Sequence, residues 1–299
     1  MRSFLFNIAL ISISLGLLSS CNQKGGNRER IVTVTVLPQQ FFAERIAGDK
    51  FEVHCMVPRG SSPESYDPTP AELMKLSKSM AYFKIGYMGF ELSWMDKIAS
   101  MNPGMSIFDT SVGVDLIYGT HVCSDPAHHH EDDHGHDHEG GVDPHTWSAP
   151  STSRVIARNM LDAFVSLDKE NESYYRTNFD QLMVEIDSVD SRLKEILAPV
   201  QSRTFAIYHP ALAYFARDYG LEQISFEHEG KEPSVQHLAS LSKQMKDKGV
   251  KVVFVQQEFD QKNGELLAKE SNSKLIQINP LSIEWGEELI RMASAIAGE

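Results

Sequence analysis

Six histidines, His128, His129, His130, His134, His136 and His138, stand among five acids, Glu131, Asp132, Asp133, Asp137 and Glu139. Imidazole and carboxylate are the ligands that zinc, nickel and copper accept. A tract this polar cannot bury a core, so residues 127–141 are expected to form a loop that captures metal. Protons compete for its rings as the pH approaches about 6.5. Four more residues stand where a ligand set would be gathered. Glu64 lies in the segment Pro58–Pro70, and His145 in Val142-Asp143-Pro144-His145-Thr146-Trp147. His209 follows directly on an apolar run in Tyr208-His209-Pro210, and Asn279 does the same in Ile278-Asn279-Pro280.

Each of these four follows a predicted strand, His145 only after the insertion behind the fourth, and open α/β sheets bind ligands beyond the carboxyl ends of their strands. One such histidine alone reads as a hydrogen-bonded structural residue. Together the four describe a cleft. A Glu-His-His set suits zinc, while a carboxylate in place of an imidazole moves the site toward harder ions such as manganese. The neutral amide of Asn279 is the weakest candidate. The fourth position therefore stays open among Asn279, water, and the carboxylates Glu227, Glu229 and Glu258.

The elements that must position these residues alternate between β-branched runs and amphipathic segments, the pattern of α/β lobes with parallel sheets. In the first lobe the predicted strands are 31–37, 51–57, 81–85 and 106–109. The intervening helices are 39–47, 70–79 and 91–99, and another runs over 150–167. In the second lobe the strands are 204–208, 223–226, 250–256 and 274–278, with helices at 211–218, 235–246, 262–269 and 284–296. Between the lobes, residues 172–197 contain no Gly or Pro and place Phe179, Leu182, Ile186, Val189, Leu193, Ile196 and Leu197 at helical spacing. The expected fold is thus α/β, two Rossmann-like lobes with parallel sheets joined by a long rigid helix, with a metal cleft between them. The expected division is residues 31–170 for the first lobe, 171–198 for the linking helix and 199–299 for the second lobe.

The chain has 299 residues, 41% of them hydrophobic and 23% charged, which supports a packed core in two lobes. Its formal charge of -13 excludes a nucleic-acid partner, whose phosphates demand a basic surface. Arg2 followed by the apolar run from Phe4 to Leu18 reads as an export signal, residues 1–20. The sequence Leu18-Ser19-Ser20-Cys21 resembles the lipobox of bacterial lipoproteins, which implies acyl chains on Cys21 and a membrane anchor, with residues 21–30 as a tether. Cys55 and Cys123 are the remaining thiols, and the sequence permits either a disulfide between them or two free groups.

With these residues in view, the chain resembles the ZnuA/TroA family, the zinc- and manganese-binding receptors of bacterial ABC importers. Pro63–Pro70 looks like that family's Pro-His-x-Tyr-Glu-Pro-Thr-Pro element, and Asp143-Pro144-His145-Thr146-Trp147 is similar to its Asp-Pro-His-x-Trp element. The segment from Tyr208 to Leu221 resembles its His-x-Ala-x-x-Tyr-Phe region. Glu229–Ser234 and Val253–Phe259 also have the family's look, so the likeness runs from about Ile31 to Ala297. Two departures stand out: Glu64 replaces the usual first histidine, and Asn279 replaces an aspartate. The resemblance implies a monomeric, lipid-anchored receptor at the periplasmic or outer face of a bacterial membrane. It would bind Zn2+, with Mn2+ as the other candidate ion, and hand it to an ABC permease and its ATPase. It implies no catalysis. The competing readings are a manganese or iron receptor, a zinc hydrolase, and a surface metal buffer or adhesin. The one His-Glu-x-x-His spacing, His130-Glu131-Asp132-Asp133-His134, falls inside the polar tract expected to be a loop, so the helix that would favour the hydrolase is not expected.

Overall fold

The computed structural model describes residues 30–119, 141–227 and 233–299. The export signal, Cys21, the tether up to Glu29, the histidine tract, Cys123 and Glu229 lie outside the described residues.

The first lobe opens with β1 (Ile31–Val34), four buried residues, and turns at once into α1 (Leu37–Ala47). The apolar run over 31–37 therefore splits between strand and helix. Pro38 sits in the first helical turn, where its fixed φ is favourable and its missing N–H costs nothing. The side chain of Gln39 folds back to accept the N–H of Thr35 at 3.0 Å and that of Val36 at 3.3 Å. β2 (Glu52–Cys55), α2 (Pro70–Leu76), β3 (Ala81–Lys84), α3 (Gly89–Met101) and β4 (Ser106–Asp109) complete the first sheet and its helices. α2 starts where Thr69 accepts the Glu72 N–H and Glu72 reaches back to the Thr69 N–H, so two orphan donors are satisfied reciprocally.

α4 (Pro150–Leu167) and α5 (Glu172–Leu197) follow, and both have the boundaries that the sequence predicts. The second lobe contains β5 (Thr204–Ile207), α6 (Ala213–Asp218), β6 (Glu222–Ser225), α7 (Val235–Asp247), β7 (Val252–Gln256), α8 (Lys262–Ser271), β8 (Lys274–Ile278) and α9 (Trp285–Ala297). Both sheets are wholly parallel, in the order β2-β1-β3-β4 and β6-β5-β7-β8. In each, the chain reverses its direction of winding beside the first strand, which opens a crevice at the carboxyl ends of the first and third.

α5 carries Tyr175, Phe179, Leu182, Ile186, Val189, Leu193, Ile196 and Leu197 as one buried stripe. Twenty-six residues at 1.5 Å each make it about 39 Å long. It packs against α1 and α4 of the first lobe and α9 of the second, and one apolar cluster holds side chains of both lobes. Its surface pairs, such as Arg45–Glu185 and Arg154–Asp187, are partly exposed and contribute about 0–1 kcal/mol each. Every buried Leu, Ile or Phe of the stripe contributes about 1.5–3 kcal/mol, so packing holds the helix down.

Two indoles add to the lobe junction. Trp147 donates to the Pro280 carbonyl at 2.9 Å, and Trp285 donates to the Trp147 carbonyl at 2.8 Å. Among the described residues, no helix is long and apolar enough to cross a membrane. Cys55 is a free thiol, and burial pushes its pKa up to about 12.

Candidate metal centre

Glu64, His145 and His209 converge where the lobes meet, each offering one ligand atom within 4.8 Å of the others. Glu64 arrives on the loop between β2 and α2. His145 arrives on the return from the segment after β4, just before the helical turn Thr146–Ser148. His209 leaves the end of β5. Nε2 of His145 lies 3.2 Å from Nε2 of His209 and 3.9 Å from Oε1 of Glu64.

Each imidazole is aimed from behind by a carboxylate. His145 Nδ1 lies 2.8 Å from Asp143 Oδ1, which also accepts the His145 N–H at 2.9 Å. His209 Nδ1 lies 2.7 Å from Glu227 Oε2. A ring whose Nδ1 faces a carboxylate holds its proton there and leaves Nε2 as a lone pair, the arrangement that fixes histidine ligands in metal sites. Gln256 brackets the His209 peptide, accepting its N–H at 3.3 Å and donating to its carbonyl at 2.6 Å. Tyr214 donates to the Asp143 carbonyl at 2.8 Å and accepts the Ile117 N–H at 3.3 Å, so the second lobe also steadies the segment that carries His145.

The electrostatics are lopsided. Burial opposes a charge on His145, but Asp143, Glu64 and Glu227 outweigh it and raise its pKa above the ordinary 6.5. Oε1 of Glu64 is buried without a hydrogen-bond partner. Two lone pairs and a bare carboxylate oxygen face one another, an arrangement that a cation relieves. The donor set also fits zinc in size. Tetrahedral ligands at about 2.0–2.1 Å lie about 3.3–3.4 Å apart, and the imidazole pair is already at 3.2 Å. The cavity they line has a volume of about 20 Å³, room for an ion or a water molecule.

Of the candidates for a fourth position, Glu258 lines this cavity. Burial raises its pKa, against its own backbone N–H and the nearby His209 and His145. Glu227 is engaged behind His209. Asn279 lines a neighbouring cavity with Val36, Val57 and Gln257, its N–H donates to Glu288 at 2.6 Å, and its Oδ1 is buried without a partner. The orienting roles of Asp143 and Glu227 are absent from the sequence reading. Asp143 had a local signal, two residues before a candidate ligand, whereas Glu227 meets His209 from 18 positions away.

Two α/β lobes closing on a small, partly buried ligand set are the architecture of an extracytoplasmic solute-binding protein. The chain belongs to the family described as the periplasmic component A of zinc-uptake complexes, whose family model matches residues 32–295. The high-affinity zinc uptake system protein ZnuA of Bacillus subtilis (strain 168) is 28% identical over 288 residues, 93% of this chain and 88% of its own. A crystal structure of ZnuA superposes with a TM-score of 0.80 at 32% identity, over 90% of this chain and 98% of that one. The solute-binding protein FpvC of Pseudomonas aeruginosa, in complex with Mn2+, shares the fold with a TM-score of 0.75 at 24% identity, over 90% and 98% of the two chains.

Proposed function

We propose that the protein is a zinc receptor. It captures Zn2+ with Glu64, His145 and His209 and delivers the ion to an ABC permease powered by its ATPase. The observation that carries this reading is the 3.2 Å approach of two Nε2 atoms from different lobes beside an unpartnered carboxylate oxygen. Relatives named for zinc uptake support the choice of ion. Glu64 in place of an imidazole keeps Mn2+ as the second candidate, a reading favoured by the harder oxygen donor.

Binding and release, not turnover, suit this site. A pocket for an organic substrate runs to about 300–1,000 Å³, and the cavity of about 20 Å³ leaves no room for an ester or peptide beside the ion. Cys21 would carry the lipid that anchors a monomer at the cell envelope, and the histidine tract, His128 to His138, would collect ions for the cleft. Metal analysis of protein purified without chelators, followed by a zinc–manganese competition titration, tests this reading. One tightly held zinc ion is expected; a metal-free protein that prefers manganese would contradict it.

A further inference from the structure

Glu64 is held by a partner far along the chain. The N–H of Gly89, the first residue of α3, donates to Glu64 Oε2 at 3.2 Å, and the N–H of Phe90 donates to the Pro63 carbonyl at 3.0 Å. Two amides at a helix start, where donors lack partners within the helix, thus grip the loop that carries Glu64. The other oxygen, Oε1, is buried, unpartnered and turned toward His145. The contact requires glycine. A Cβ at position 89 would lie 2.2 Å from the Glu64 carbonyl oxygen and 3.0 Å from Oε2.

The start of α3 is itself braced. The buried carboxylate of Glu91 accepts the N–H groups of Ile85 at 2.8 Å and Gly86 at 2.5 Å, together with the Thr35 hydroxyl. The turn from β3 into α3 is therefore tied to the end of β1, and the Gly89 amide is presented from a fixed frame.

We propose that Gly89 is a positioning residue that restricts Glu64 to one-oxygen ligation and so favours zinc over manganese. This rests on the reading of Glu64 as a ligand. Zinc is satisfied by four donors, with a carboxylate giving one oxygen. Manganese, the harder ion, is suited to an octahedral shell rich in oxygen. A carboxylate free to turn would offer both oxygens and raise the coordination number. With Oε2 engaged, two-oxygen ligation costs a charge-assisted hydrogen bond.

The test compares zinc and manganese affinities of the native protein, Gly89→Ala, Glu64→Ala and the double variant, with circular dichroism to establish folding. Gly89→Ala should lower zinc affinity about 10–100-fold, as changes behind a ligand do, while manganese affinity moves much less. In the Glu64→Ala background the same change should have no further effect on either ion. An equal loss for both ions, or a full loss persisting in that background, would overturn the role of Gly89 while leaving Glu64 a ligand. Unchanged zinc affinity in Glu64→Ala alone would remove Glu64 from the site, and the proposal with it. A zinc-loaded crystal structure of the native protein decides the matter even if Gly89→Ala does not fold. Glu64 Oε1 is expected on the ion with Oε2 still at the Gly89 amide, and both oxygens on the ion would refute the proposal.

Discussion

His145 and His209 face each other through their Nε2 atoms at 3.2 Å, although one belongs to the first lobe and the other follows β5 of the second. With Asp143 and Glu227 behind them, the two lone pairs would repel unless a positive charge lies between them. A metal ion supplies that charge, and the same carboxylates that aim the rings favour a positive charge on His145.

The first prediction concerns pH. The pKa of His145 is raised above 6.5 because three carboxylates outweigh burial. Its protonated form therefore stabilises the metal-free fold fully below the ordinary value, and that contribution is lost as the pH rises through the raised one. Zinc needs the neutral ring, so at any pH below the raised value binding expels a proton. Zinc affinity should climb with pH beyond 6.5 and then flatten. Calorimetry in buffers of different ionisation enthalpy counts the proton, and an affinity constant from pH 6 to 8 would contradict the assignment.

The second concerns the groups behind the rings. Asp143→Asn and Glu227→Gln keep the shape of each side chain but remove the charge that fixes its imidazole. Each should lower zinc affinity about 10–100-fold with little change in secondary structure. A change below about twofold in both, by competition titration, would mean that the rings are held in place by packing alone.

The third separates the cluster from its neighbour. His209→Ala removes a clustered donor, whereas Asn279→Ala alters a side chain that lines an adjacent cavity. Zinc binding should weaken much more in the first variant than in the second. Comparable losses would place Asn279 on the ion.

Much of this was legible in the sequence. The helices Pro150–Leu167 and Glu172–Leu197 and the strands Ser106–Asp109 and Lys274–Ile278 have their expected boundaries, because a proline, a periodic apolar stripe or flanking polar residues mark their ends. The runs 31–37 and 204–208 overshoot because their apolar residues stay buried after strand pairing ends at Val34 and Ile207. At the site, the Asp-Pro-His-Thr-Trp motif pointed to His145, and strand-end position pointed to Glu64 and His209. It does not set side-chain direction, which is why Asn279, equally placed in sequence, lines another cavity. Glu227 and Gly89 act through contacts 18 and 25 positions away, and only the folded chain brings those together.

The fourth prediction concerns motion. α5 is buried against both lobes, and Trp147 and Trp285 join the lobes through their indoles. Zinc should raise the melting temperature, since it binds only the folded state, yet leave the overall dimensions nearly unchanged. Release then proceeds by rearrangement at the ligand-bearing strand ends or a small tilt. Solution scattering that shows a contraction of the whole particle on loading would indicate a hinged clamshell instead.

The most direct test is the position of the ion. Crystals of zinc-loaded protein, with diffraction recorded on both sides of the zinc absorption edge, would show a single strong anomalous peak between Glu64 Oε1, His145 Nε2 and His209 Nε2. It should lie about 2.0–2.2 Å from each. A peak at Asn279 or on one lobe alone, with this cluster empty, would contradict a zinc site that ties the two lobes together.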